Sequence, residues 1–163
     1  VPESNLYISH IIHRMMANNH HFKPIPVINY LDWGTFEDWQ RYKSKYSTVF
    51  VDLDGVLVLN SSEFMEPKWG KSKGLDRNIK KINQMFDSGK CQIIITTARK
   101  SSYLEETKTQ LNNVGVKYHR IIFDLLHCKR IIINDFSKTN PYESCKAVNL
   151  PRNSEILDQM LGE

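Results

Sequence analysis

VFVDLDGVLV, residues 49–58, decides how the rest of the chain is read. Val49, Phe50 and Val51 belong to an apolar run suited to a buried strand. Asp52 and Asp54 then stand two apart at its carboxyl end, with Gly55 directly after. A strand interior disfavours Asp, and neighbouring carboxylates with no other charge nearby push each other's pKa upward. Such a placement needs a reward beyond structure, and a divalent cation with hard oxygen ligands, awaiting a phosphate as its remaining partner, supplies one. Gly55 lets the chain turn away tightly.

Outward from this stretch, strand and helix signals alternate. TVFVDL (48–53), CQIIIT (91–96), HRIIF (119–123), RIIIN (130–134) and KAVN (146–149) read as strands. Leu75, Ile79, Ile82 and Phe86 recur at helical spacing, with Gly89 as a natural end. Leu104, Leu111 and Val114 mark a second helix ending at Gly115, with Ser102 and Glu105 as a capping box at its start. A last amphipathic helix spans Ser154 to Leu161. Near-continuous apolar strands separated by helices predict an α/β fold, a Rossmann-like three-layer sandwich around a central parallel sheet. Ligands of such sheets bind at the carboxyl ends of the strands. Three polar sets converge there: Asp52 and Asp54, then Thr97 and Arg99, then Asn134 and Asp135.

Composition narrows the function classes. The chain has 163 residues, 40% of them hydrophobic and 25% charged, as an ordinary globular protein does. Its net charge of +4 comes from Lys and Arg spread along the chain, without the dense basic run of a nucleic-acid binder. Cys91, Cys128 and Cys145 are an odd number without paired metal-ligand spacing. They read as free thiols of a reducing, cytoplasmic compartment rather than a disulfide framework or zinc site. No run is long and apolar enough to span a bilayer, and there is no signal peptide, so no membrane partner is expected.

Residues 1–44 form a different part. Leu6, Ile8, Ile11, Ile12, Met15 and Met16 suit a helix, and VINY (27–30), after Pro24 and Pro26, suits a short strand. Thr35 is the expected N-cap of a following helix, with Asp38 three residues on. This stretch is too short for a core of its own, and residues 45–163 are expected to carry the chemistry. The chain starts with Val rather than Met and is read as a fragment of a longer protein.

DLDGVLV, TTAR and IIIND, in this order, resemble three motifs of the haloacid dehalogenase (HAD) superfamily of phosphatases over about residues 46–150. The resemblance implies a Mg²⁺-dependent phosphomonoesterase in which Asp52 attacks phosphorus and forms an aspartyl-phosphate. It makes Asp54 the proton donor and acceptor and Thr97 a hydrogen-bond donor to the phosphoryl group. Asp52, the Asp54 carbonyl and Asp135 would hold Mg²⁺, with Asn134 assisting through water. The family also uses a Lys. Lys117, Lys129 and Lys138 are candidates, and Lys129 is chosen for its place before the fourth strand. The stretch LNSSEFMEPKWGKSKG (59–74) leaves no room for a cap domain, which implies an open site for a large substrate or one closed by a partner subunit, such as a second copy in a homo-oligomer.

VINYLDWGTFEDW (27–39) is similar to the closing segment of sugar-phosphate nucleotidyltransferases. That likeness implies fusion to such a domain and a phosphorylated, sugar-related small-molecule substrate in surface-polysaccharide or nucleotide-sugar synthesis. Two other functions are compatible with the same residues: a catalytically weak binding or assembly module, and a mutase. Arg99 is either a surface ion pair or a substrate contact. Trp33, Trp39 and Trp69 read as packing groups, and the six His are assigned no role.

Overall fold

The computed structural model describes residues 7–139 and 141–162. The chain divides into two compact units, Val1–Gly34 and Thr35–Glu163. The division falls ten residues before the boundary expected at 44, so the helix after Thr35 belongs with the second unit.

In the first unit, α1 spans Ile8–Ala17. Its start is closed by His10, whose Nδ1 accepts the Tyr7 N–H at 3.3 Å. Its apolar residues Ile8, Ile11, Ile12, Met15 and Met16 are exposed. The strand expected at 27–30 is absent: Asn29 takes a left-handed φ of 64°, which interrupts an extended run.

The second unit opens with α2, Phe36–Lys43. Thr35 caps it as expected, its Oγ1 accepting the Asp38 N–H at 3.1 Å and donating to Asp38 Oδ2 at 2.7 Å. Three strands follow, β1 (Ser47–Asp52), β2 (Cys91–Thr96) and β3 (Arg120–Ile122), in a parallel sheet of order β1-β2-β3. The register sets Asp52 opposite Thr96 and Thr96 opposite Ile122, so all three strands end at one edge. The helices α3 (Asp76–Asp87) and α4 (Leu104–Asn113) form the two crossovers, and α5 (Leu157–Leu161) packs on α3. The core is apolar and draws on every layer: Val51, Leu53, Leu57, Ile79, Ile82, Ile93, Ile95, Leu111 and Leu157 are all buried. This is the α/β, Rossmann-like arrangement expected. No helix among the described residues is long and apolar enough to cross a membrane.

Two expected strands do not form. Among the described residues, 123–156 contain neither helix nor strand. Only the seven residues 123–129 separate β3 from the RIIIN run, whereas a parallel crossover takes a dozen or more. Ile131, Ile132 and Ile133 are accordingly exposed, Ile133 by 93%. The capping box at Ser102 is absent too. A 3₁₀ turn, Ser101–Tyr103, leads into α4, and Glu105 pairs with Lys108 instead.

Candidate active site

The backbone after β1 turns at once. The Leu53 carbonyl accepts the N–H groups of Leu57 at 3.0 Å and Val58 at 3.1 Å, and Gly55 N–H donates to the Val58 carbonyl at 2.7 Å. Gly55 has φ +87°, a conformation that a side chain would strain, and a Cβ there would lie 3.0 Å from Arg152 Cγ. The turn is clasped from the far end of the chain. Asn153 N–H donates to the Gly55 carbonyl at 2.8 Å, and Asn153 Oδ1 accepts the Asn60 N–H at 2.7 Å. The buried amide of Asn78 adds a second tie. Its Nδ2 donates to the carbonyls of Val56 and Ser154, and its Oδ1 accepts the Leu157 N–H.

Asp52 and Asp54, brought together on this turn, have opposite surroundings. The Asp52 side chain is 35% exposed, and its Oδ1 accepts from Arg130 Nη2 at 3.1 Å. Burial pushes its carboxyl above the ordinary value, while the Arg130 guanidinium and the Leu53 N–H oppose the rise. Asp54 is 17% exposed and bound in two places by one guanidinium, from Arg99 Nε to Oδ2 and from Arg99 Nη2 to Oδ1, both at 2.8 Å. Ser61 Oγ also donates to Oδ1, at 2.6 Å. Such a parallel fork fixes the plane of the carboxylate.

Arg99 is neither a surface ion pair nor an open substrate contact. Its side chain is 0% exposed; Nη1 points inward to Thr107 Oγ1 at 3.1 Å and Gln110 Oε1 at 2.8 Å, and Nη2 also reaches Ser61 Oγ at 3.4 Å. Thr97 is 1% exposed, and its hydroxyl oxygen accepts the Arg99 N–H at 3.1 Å. It therefore shapes the turn that carries Arg99. Lys129 is exposed and forms no ion pair with either Asp; its neighbour Arg130 does. Lys117, also a candidate, pairs with Asp87 on α3.

Of the expected Mg²⁺ ligands, Asp52 and Asp54 share the turn after β1, and Asp135 lies in the irregular segment 123–156. Asn134 Nδ2 donates to the Ser144 carbonyl, and Ser144 Oγ donates to the Asp135 carbonyl, so both residues are bonded to Ser144. Among the described residues no group of three His, Cys, Asp or Glu side chains stands close enough to hold a metal ion. The expected set is of a different kind, two carboxylates and the Asp54 carbonyl, and no chemical step is routed through the ion.

Sequence reasoning missed Arg130, Ser61, Thr107, Gln110 and Ser72. None lies in a motif, and Thr107 and Gln110 interrupt the apolar face of α4, so periodicity pointed away from them. The site is open. Clefts of about 450 Å³ beside α3 and about 380 Å³ between Trp69 and α4 are lined by neither Asp.

No protein-family model matches the sequence, and no curated protein matches it significantly. Among solved structures the chain is similar to an MCSG target from Vibrio cholerae, with 21% identity over 71% of this chain and 94% of that one, at a TM-score of 0.44. It is also similar to a chain of the Pnkp1/Rnl/Hen1 RNA repair complex, with 20% identity over 82% of this chain and 40% of that one, at a TM-score of 0.41. Likenesses this remote carry no argument about activity.

Proposed function

We propose that the second unit hydrolyses phosphate monoesters through a covalent aspartyl-phosphate on Asp52, as HAD-type enzymes do. The observation that carries this reading is the division of labour between two carboxylates on one turn at the carboxyl edge of a parallel sheet. One is partly open beside a cation, and the other is locked in a buried fork. An Asp52 oxygen attacks phosphorus, and the ester P–O bond breaks. The departing oxygen takes a proton from Asp54, which enters this step protonated on the leaving-group side. Oδ2 is the suited atom, since Arg99 Nε is its one hydrogen-bond donor whereas Oδ1 has two. Asp54 then takes a proton from the water that attacks the aspartyl-phosphate, which releases inorganic phosphate and restores Asp52. Arg130 offers its guanidinium to the phosphoryl oxygens.

A sugar phosphate fits the open edge and the nucleotidyltransferase-like segment at 27–39, and fusion to such a domain belongs to the same proposal. A Mg²⁺ requirement belongs to it as well, with Asp52, the Asp54 carbonyl and Asp135 as the residues that would hold the ion. The test is phosphate release from a panel of sugar phosphates and p-nitrophenyl phosphate, with Mg²⁺ and with chelator, for the native chain and Asp52→Asn. Turnover abolished by Asp52→Asn is expected. Turnover that survives the substitution, or none on any substrate, overturns the reading. The second reading, a binding module without turnover, is favoured by one observation: Arg130 already occupies Asp52.

A further inference from the structure

Gln110 takes no part in the chemistry above, yet it is almost wholly buried and bonded through every polar atom of its amide. Its Nε2 donates to the Ser72 carbonyl at 2.6 Å and to Ser72 Oγ at 2.9 Å, and its Oε1 accepts from Arg99 Nη1 at 2.8 Å. A guanidinium only donates, so the amide can present only its oxygen to Arg99. Thr107 Oγ1 takes the other Nη1 hydrogen. One turn of α4 thus grips the inner edge of the guanidinium, while the outer edge holds both oxygens of Asp54. Ser72, which fixes Gln110, lies between the β1 turn and α3. The chain Ser72–Gln110–Arg99–Asp54 is polar throughout, buried at its first three members and complete in hydrogen bonds.

A buried position on α4 would ordinarily be apolar. A polar chain there is worth its desolvation where it defines a geometry. Asp54 sits on a turn beyond the end of β1, where backbone alone does not set the aim of its carboxylate. We infer that Gln110 is a positioning residue for Asp54, acting through Arg99 to hold Oδ2 toward the leaving oxygen of a phosphate monoester. The inference rests on the reading of Asp54 as proton donor.

Leaving-group dependence separates this role from a merely structural one. An alkyl or sugar phosphate needs a proton on its departing oxygen, whereas p-nitrophenolate leaves as a stable anion and needs none. Gln110→Met keeps the length of the side chain and removes the acceptor. It is expected to lower kcat on glycerol phosphate by about tenfold or more while changing kcat on p-nitrophenyl phosphate little, with KM steady on both. Asp54→Asn is expected to show the same selectivity, larger. Equal losses on the two substrates, or a native ratio, overturn the inference. If Gln110→Met does not fold, Thr107→Val, which removes the other Nη1 acceptor, takes its place in the same test. If the native chain releases no phosphate from either ester, the phosphatase reading fails, and the Arg99 Nε–H resonance in NMR decides the positioning role by itself. It should be sharp and slow to exchange in the native chain and broadened in Gln110→Met; an unchanged resonance overturns the role.

Discussion

TVFVDL and RIIIN are near twins as sequence, each an apolar run closing on polar side chains, and they meet opposite fates. The first becomes β1, paired along its length with β2. The second is an exposed, unpaired stretch. The difference lies in what precedes each pairing. Residues 53–90, with α3, return the chain from β1 to β2, and residues 97–119, with α4, return it from β2 to β3. Before RIIIN there are seven residues and no helix. A parallel strand is therefore a property of its crossover as much as of its own residues.

The contrast can be broken most severely at the fork. Arg99→Met leaves Asp54, Gln110 and Thr107 facing a side chain that donates nothing. It should cost about 3–5 kcal/mol in a denaturant titration, as the loss of one partner from a buried ion pair does. A cost under 1 kcal/mol would mean that Asp54 reaches water in solution. A pair of smaller effects compares the two runs directly. Ile95→Ala, in the core of β2, should cost about 2–5 kcal/mol. Ile133→Ser, on the exposed run, should stay within about 0.5 kcal/mol. If Ile133→Ser costs as much as Ile95→Ala, RIIIN is packed after all and the contrast collapses.

The smallest expected effect is on pH. Burial raises the Asp52 carboxyl above its ordinary 3.8, against the opposing pull of Arg130. The nucleophile must be ionised, so the acid limb of the rate profile should lie above that value. Arg130→Gln removes the opposing charge and should move the limb to still higher pH; a limb that moves down would show that Arg130 does not act on Asp52. The stability consequence has the matching sign. The folded state holds this proton more tightly than the unfolded chain. Its contribution is therefore complete below the unfolded pKa and is lost as pH rises through the folded one.

Much of the second unit was legible. Alternation of apolar runs marked β1, β2, β3 and α3, and the Thr35 cap was visible from its Asp38 partner. Asp52 and Asp54 announced themselves because charge at the end of an apolar strand is costly without a purpose. The role of Arg99 was not legible, since a cation two residues past a strand has no signature that separates a surface from an interior place. Gln110 and Thr107 were hidden for a deeper reason. Hydrophobic periodicity detects only those buried positions that are apolar, and these are buried through hydrogen bonds. The fourth strand did not form because the seven residues before RIIIN are too few for a parallel crossover, whatever its own propensity.

The clasp on the Asp52–Asp54 turn has a bearing on how the protein is made. Gly55 is held by Asn153, and Asn78 is satisfied only by Ser154 and Leu157 besides Val56. Synthesis runs from the amino end, so both carboxylates and all three strands emerge before any of these partners exists. A nascent chain stalled at residue 150 would carry its sheet and its two Asp side chains, but with an unlatched turn. In birth order, the first-written motif of the unit is the last to be finished.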